Sequence, residues 1–122
     1  MASETSLYTA EDEAFREEVR AFIKTHVPAD VARRNQRGYH CVRDDVVAWI
    51  KALHTRGWSV PNWPTEYGGP GWSIRQRHIF EEESLRLGAP EISPQGHTLV
   101  GPIIYEFATP EMKERFLPQI RD

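Results

Sequence analysis

The connection GWSVPNWPTEYGGPG, residues 57–71, is the part of this 122-residue chain that says most about its fold. Its fifteen residues include two tryptophans, one tyrosine, three prolines and four glycines. Proline fixes the backbone angle φ, and glycine supplies backbone conformations that other residues avoid. Tryptophan and tyrosine bury large areas while their polar atoms keep a hydrogen bond. This composition predicts a rigid, packed connection and not a flexible linker.

Two helices are predicted before this connection. Thr9 can cap the first, and its apolar positions recur at helical spacing to give one buried stripe: Phe15, Val19, Phe22 and Ile23. Asp44 or Asp45 can cap the other helix, and Gly57 ends it in a left-handed backbone conformation. A short helical turn is predicted between them, around residues 30–34.

A further helix is predicted directly after the connection. Ser73 and Gln76 have the spacing of a capping box, and Gly88 follows the last helical residues. On this helix, Ile74, His78, Glu81 and Leu85 share one side. Because apolar residues are spread widely around it, we expect burial on more than one side.

The last part of the chain is also helical in pattern. An apolar helix is predicted from Thr98 to Phe107, and Thr109 can cap a final helix that faces inward at Met112, Phe116 and Leu117 and ends at Pro118. Alternation at a period of two residues never extends beyond four residues, so no strand is predicted. The fold class is therefore all-α, a bundle of about five helices. The predicted buried residues are Phe15, Phe22, Ile23, Ile50, Leu53, Ile79, Leu85, Ile103 and Phe116.

Composition narrows the class of protein. No apolar run is long enough to span a membrane, and the acidic N-terminus lacks the pattern of a signal peptide. A single cysteine, Cys41, suits a reducing cytoplasm. The net charge of -3 predicts neither a nucleic-acid nor a membrane partner. A basic cluster is interspersed with acids, which favours a solvated surface over a phosphate site: Arg33, Arg34, Arg37 and Arg43 with Asp30, Asp44 and Asp45.

Catalytic and metal-binding patterns were sought among the polar residues. The five histidines fit no zinc or di-iron motif, and Gly68-Gly69-Pro70-Gly71 lacks the spacing of a phosphate loop. Neither Cys41 nor Ser93 has a base at a motif spacing. Among Glu81, Glu82 and Glu83, one carboxyl must lie on the apolar side, as an ion pair or as an acid or base. The ion pair is the favoured interpretation, with Arg75, Arg77 or Arg86 as partner. No catalytic or metal-binding residue is predicted.

The chain resembles a known family almost from end to end, from FREEVRAFI to ATPEMKERFLPQI, through the aromatic connection. It is similar to the N-terminal helical domain of acyl-CoA dehydrogenases. The resemblance implies that residues 1–122 are this domain, and that a middle β-domain and a C-terminal helical domain lie outside the chain. In the family, FAD lies between those two domains, and a glutamate removes the α-proton of an acyl-CoA while a hydride passes to the flavin. FAD is therefore expected in the full-length enzyme and not on this chain alone.

The resemblance also implies a substrate site. By position it places Ile92, Gln95, Gly96 and Leu99 along the acyl-chain pocket, where side-chain volume sets how deep the chain can go. The alternative is that these residues only pack the helix. PNWPTEYGGPGW further resembles bacterial members called pimeloyl-CoA dehydrogenase large subunit, or members acting on steroid side chains.

Partners and alternatives follow from the same resemblance. It implies an acyl-CoA substrate, electron-transferring flavoprotein as acceptor, and a homo- or hetero-oligomer in the cytoplasm. The alternatives are an acyl-CoA oxidase, a flavin monooxygenase, or a free-standing helical module that binds a partner without flavin. If other domains normally cover this one, the helix from Thr98 to Phe107 should expose an apolar patch through Leu99, Val100 and Ile103. If that helix is the centre of the core, it should be buried instead.

Overall fold

The computed structural model describes residues 7–122, and this part of the chain is helical without strands. Its six α-helices are α1 (Ala10–His26), α2 (Ala29–Gln36), α3 (Arg43–Thr55), α4 (Ile74–Arg86), α5 (Gly101–Phe107) and α6 (Pro110–Arg121). A 3₁₀ turn (Thr65–Tyr67) lies in the aromatic connection, and a π-helical turn (Gln95–Val100) precedes α5. The all-α prediction is confirmed. Residues 1–6, on which the expectation of no signal peptide partly rests, lie outside the described range.

Three of the predicted helix starts have the expected caps. Thr9 and Ser73 each form a complete capping box, with Asp12 and Gln76 as the third residues. Thr109 accepts a hydrogen bond from the backbone of Met112. The predicted cap of α3 is wrong: Val42 occupies the cap position and provides no side-chain bond. The helix begins so early that the two aspartates lie in its first turn, where their charge interacts favourably with the helix dipole.

The helix that was predicted to end at Gly57 does so, whereas the helix that was predicted to end at Pro118 continues past it. Gly57 has φ of 73°, and the N–H of Trp58 bonds the carbonyl of Leu53 at 2.9 Å, as in a Schellman motif. Pro118 was expected to end the last helix, yet α6 continues to Arg121. The proline lacks an N–H and its ring crowds the carbonyl of Glu114, but the carbonyl of Pro118 still accepts from the N–H of Asp122 at 2.9 Å, and the buried Leu117 beside it holds this helix in the core.

The described residues form two compact units. The first contains the residues up to His40 together with Trp72–Pro90, and in it α1 packs on α4. The predicted stripe of α1 is confirmed, because all four of its residues are buried. The ring of Trp72 lies 5.2 Å from Phe15 and 5.1 Å from Phe80, centroid to centroid.

The buried face of α4 differs from the predicted one. Leu85 was placed in the core, but 83% of its surface is exposed, and Ile79, Phe80 and Glu83 are buried instead. Glu83 is fully buried, with Arg16 at 2.6 Å and Arg20 at 2.7 Å on α1. Its two strong partners therefore come from another helix and orient α4 so that Leu85 points to solvent.

The ion pair predicted for this carboxylate cluster is present, with different principal partners. Of the three candidate arginines, Arg86 approaches Glu83 at only 3.8 Å. Burial acts to raise the pKa of the Glu83 carboxyl, but hydrogen bonds from Arg20 and Arg16 outweigh burial and lower that pKa. Glu83 is thus a charged structural group that joins α1 to α4.

The second unit comprises Cys41–Gly71 and Glu91–Asp122. Its apolar cluster combines the aromatic connection with the last helices: Val60, Trp63 and Leu117 are buried, with Tyr67, Ile104, Tyr105 and Ile120 packed against them. Predictions here were partly wrong. Leu53 is buried, but Ile103 is 60% exposed and Met112 is 45% exposed, while Ile50 and Phe116 are half-buried. The cluster is built around Trp63, and the face of α5 that packs on it is opposite to the face that carries Ile103.

Replacing Phe22 with alanine tests the stripe of α1. The ring is 4% exposed and lies 4.1 Å from the imidazole of His26, so Phe22→Ala should cost about 3–5 kcal/mol of unfolding free energy. Urea denaturation followed by circular dichroism measures this loss. Leu85→Ala in the same unit is the control and should change stability by less than about 0.5 kcal/mol. A loss below about 1 kcal/mol for Phe22→Ala would contradict the assigned packing.

Replacing Glu83 with glutamine tests the buried ion pair. Because the folded-state pKa lies below the usual 4.5, the carboxylate stabilises the fold fully above that pH, and the stabilisation is lost as the pH falls through the folded-state pKa. Glu83→Gln should cost about 3 kcal/mol at neutral pH and flatten the acid side of the stability profile. Glu81→Gln, an exposed neighbour, is the matched control. Equal profiles for the two variants would refute the role of Glu83.

Candidate functional site

The π-helical turn Gln95–Val100 is the least regular helical segment of the second unit. The N–H of Gly101 bonds the carbonyl of Gly96, five residues back, so the turn is wider than an α-helical one. Pro102 explains this widening, because its ring would clash with the carbonyl four residues earlier and it has no N–H to donate. Wide turns of this kind occur often at functional sites.

Trp63 holds this turn from the aromatic connection. The indole is 4% exposed, and its Nε1–H donates to the carbonyl of His97 at 2.7 Å. Its ring lies edge-on to Tyr105, with centroids 5.8 Å apart. A Cβ added at Gly101 would lie 2.3 Å from Cζ2 of the indole, so only glycine permits this approach. The rigid connection predicted from the sequence thus packs directly on the turn.

His97 links the same turn to the end of α6. Its Nε2 lies 2.8 Å from the carbonyl oxygen of Ile120, and since a carbonyl only accepts, Nε2 carries the proton. Burial lowers the pKa of His97, and the bond to Ile120 opposes this only in part. A neutral imidazole is therefore favoured, and it satisfies one of the carbonyls that a helix end leaves free.

Three of the four predicted pocket residues, Gln95, Gly96 and Leu99, lie on this turn, and Ile92 precedes it. Gln95 is exposed and Leu99 is 55% exposed, whereas Ile92 and Gly96 are half-buried. A Cβ at Gly96 would lie 3.2 Å from Cγ2 of Ile120, so its empty side is closed by α6. Gly96 thus packs against α6, and its place in an acyl site stays a prediction.

An exposed apolar stripe continues from Leu99 along α5. Val100 is 46% exposed, Ile103 60% and Phe107 83%. The opposite side of α5 carries Gly101, Ile104 and Tyr105, which belong to or touch the cluster around Trp63. Of the two expectations for this helix, the exposed patch is the one observed. Sequence reasoning missed the side of α5 that is buried, although Gly101 was a usable signal for the close approach of an aromatic ring.

The glycine-rich turn after Trp63 does not fit a phosphate group. A Cβ at Gly69 would lie 1.7 Å from the carbonyl oxygen of Trp63, and one at Gly68 would lie 2.5 Å from Cδ of Arg121. These glycines therefore serve close packing, as the sequence predicted for a turn. Over residues 7–122 no group of three His, Cys, Asp or Glu side chains could hold a metal. No described helix is long and apolar enough to cross a membrane.

Comparison with known proteins gives one consistent family. Residues 9–122 match the sequence profile of the family "Acyl-CoA dehydrogenase, N-terminal domain". The chain is 36% identical to acyl-CoA dehydrogenase IpdE1 of Mycolicibacterium smegmatis, over 92% of this chain and 30% of that protein. It is 32% identical to acyl-CoA dehydrogenase FadE26 of Mycobacterium tuberculosis, over 93% of this chain and 28% of that protein.

Solved structures agree with the sequence relatives. The ChsE4–ChsE5 complex from Mycobacterium tuberculosis matches with a TM-score of 0.73 and 29% identity, over 97% of this chain and 29% of that chain. The Tcur3481–Tcur3483 steroid ACAD matches with a TM-score of 0.74 and 32% identity, over 93% and 29% respectively. The chain spans less than a third of the length of these relatives. It belongs to the acyl-CoA dehydrogenase family, whose N-terminal domain residues 9–122 match.

Proposed function

We propose that residues 1–122 are the N-terminal helical domain of an FAD-dependent acyl-CoA dehydrogenase, which oxidises an acyl-CoA to the 2,3-enoyl-CoA. The observation that carries this proposal is the apolar stripe formed by Leu99, Val100, Ile103 and Phe107, exposed on a family domain whose relatives are about three times as long. A surface of this kind is costly in water unless it is covered. The acyl chain covers the end of the stripe near Leu99, and the other domains cover the rest.

This domain contributes binding and exclusion of water to the reaction. FAD, when bound by other domains, supplies the acceptor for the β-hydride. The apolar side chains of Leu99 and Ile103 form a wall of the acyl site and keep water from it. Gln95 lies exposed at the start of the same turn and belongs to the same proposed site. Ile92 and Gly96 are half-buried and support this wall from behind, since Gly96 lets α6 approach.

The substrate and the assembly are proposed from the relatives. One matched structure is a steroid ACAD, and the quoted structures are complexes of two different proteins. We infer that the acyl group is attached to a bulky steroid-like body and that the enzyme is a hetero-oligomer in the cytoplasm. Electron-transferring flavoprotein then reoxidises the flavin. A bulky acyl group needs an open apolar wall and not a narrow closed channel. The exposed apolar side chains of the stripe can provide such a wall.

Enlarging Leu99 tests the pocket in the enzyme that contains this chain. Leu99→Phe narrows the site, so kcat/KM should fall about tenfold for long or steroid acyl-CoA thioesters and change little for a short one such as butyryl-CoA. Leu85→Phe, on the exposed side of α4, is the control and should leave the whole acyl-CoA series unchanged. An equal loss across the series, or none, would show that Leu99 does not line the acyl site.

The chain by itself is expected to bind no flavin. Its glycine turn is closed by the Trp63 carbonyl and the Arg121 side chain, so this turn does not offer its backbone to a phosphate group. After incubation with FAD at micromolar concentration and gel filtration, the protein fraction of the 122-residue chain should be colourless. Absorbance after gel filtration measures this, and a retained flavin spectrum would place cofactor contacts in this domain.

A further inference from the structure

The carbonyl of His97 has no backbone partner available in the π-helical register. In that register a carbonyl accepts from the residue five positions later, as Gly96 does from Gly101. The corresponding position for His97 is residue 102, which is proline and has no N–H. A buried carbonyl without a donor costs about 1–3 kcal/mol, so this group needs a donor from elsewhere.

The indole of Trp63 is that donor. Its Nε1–H reaches the carbonyl oxygen of His97 at 2.7 Å, and the ring is fixed against Gly101 and Tyr105. In an α-helical register the carbonyl facing Pro102 would instead be that of Thr98, which would also clash with the proline ring. Only in the π-helical register is His97 the residue whose carbonyl lacks a backbone donor. The hydrogen bond from the indole to His97 therefore matches the π-helical register.

We propose that Trp63 is a positioning residue for acyl selectivity, and that its N–H, more than its bulk, stabilises the π-helical register that Pro102 favours. The register sets the angular positions of Gln95 and Leu99 around the helix axis. It therefore determines whether these two side chains lie on the same side of the segment as Ile103. The proposal rests on the proposed function in one respect, namely that these side chains contact the acyl group. The role of the N–H in the register stands on the hydrogen bonds alone.

Trp63→Phe tests the register, because it removes the N–H donor and keeps an aromatic ring in the connection, although it also removes the Cζ2 atom that lies against Gly101. Amide exchange at Gly101, measured in the chain of 122 residues, should accelerate about tenfold, as expected for the loss of one buried hydrogen bond. Trp58→Phe is the matched control, the same change at a buried tryptophan of the same connection, and should leave Gly101 unchanged. Unchanged exchange at Gly101 in Trp63→Phe overturns the proposal.

Pro102→Ala provides a second variant in which the backbone regains an N–H. The carbonyl of His97 then has a backbone donor within reach. Adding Trp63→Phe to Pro102→Ala should therefore accelerate amide exchange at Gly101 by less than about twofold. If Trp63→Phe alone fails to fold, the double variant should fold. If adding Trp63→Phe accelerates exchange at Gly101 as much in the Pro102→Ala background as in the wild type, the bulk of Trp63 and not its N–H stabilises the turn. That result overturns the proposal.

Selectivity is measured in the enzyme that contains this chain. Trp63→Phe should change the ratio of kcat/KM between steroid and butyryl thioesters about tenfold in the wild-type background, and by less than about twofold when it is added to Pro102→Ala. A ratio altered by Leu99→Phe but not by Trp63→Phe overturns the positioning role and leaves the proposed function intact. A ratio altered by neither variant overturns the pocket, and the positioning role with it.

Discussion

The contact between the Trp63 indole and the backbone at Gly101 and His97 is the constraint on which the second unit depends. A large ring can approach a helix this closely only where a side chain is absent, and the ring then brings its N–H to a carbonyl that Pro102 deprives of its usual donor. Packing and hydrogen bonding therefore favour the same arrangement. The side of α5 that faces Trp63 is buried as a result, and the side that carries Ile103 is left exposed.

A different constraint orders the first unit. Glu83 is fully buried, and a buried carboxylate is tolerated only when charged partners and hydrogen bonds satisfy it. Arg16 and Arg20 supply both from successive turns of α1, so α4 is fixed in rotation about its own axis. The charged group thus determines which apolar residues of α4 are covered. Leu85 lies on the outer side for this reason, despite its hydrophobicity.

The sequence predicted those features that depend on local chemistry. The stripe of α1, the cap at Thr9, the capping box at Ser73 and the role of Gly57 depend on residues within one or two turns, and all are confirmed. The features it could not predict depend on contacts between distant residues. No local pattern states that Glu83 pairs with α1 rather than with its own helix, or that α5 turns Ile104 and not Ile103 inward. The capping of α3 failed for a local reason, since two adjacent aspartates both suit a first turn.

The acyl-chain residues stay a prediction from the family resemblance, and the geometry of their segment could not be predicted. Three of the four, Gln95, Gly96 and Leu99, lie on the π-helical turn, where the angular spacing of Gln95 and Leu99 differs from that on an α-helix. A pocket wall built on such a turn depends on whatever holds its register. The aromatic connection and the π-helical turn therefore pack as one unit, in which a buried ring lies on one side and an exposed apolar surface on the other. For this reason we expect a change at Trp63 to alter the position of the turn, and a change at Leu99 to alter only its exposed surface.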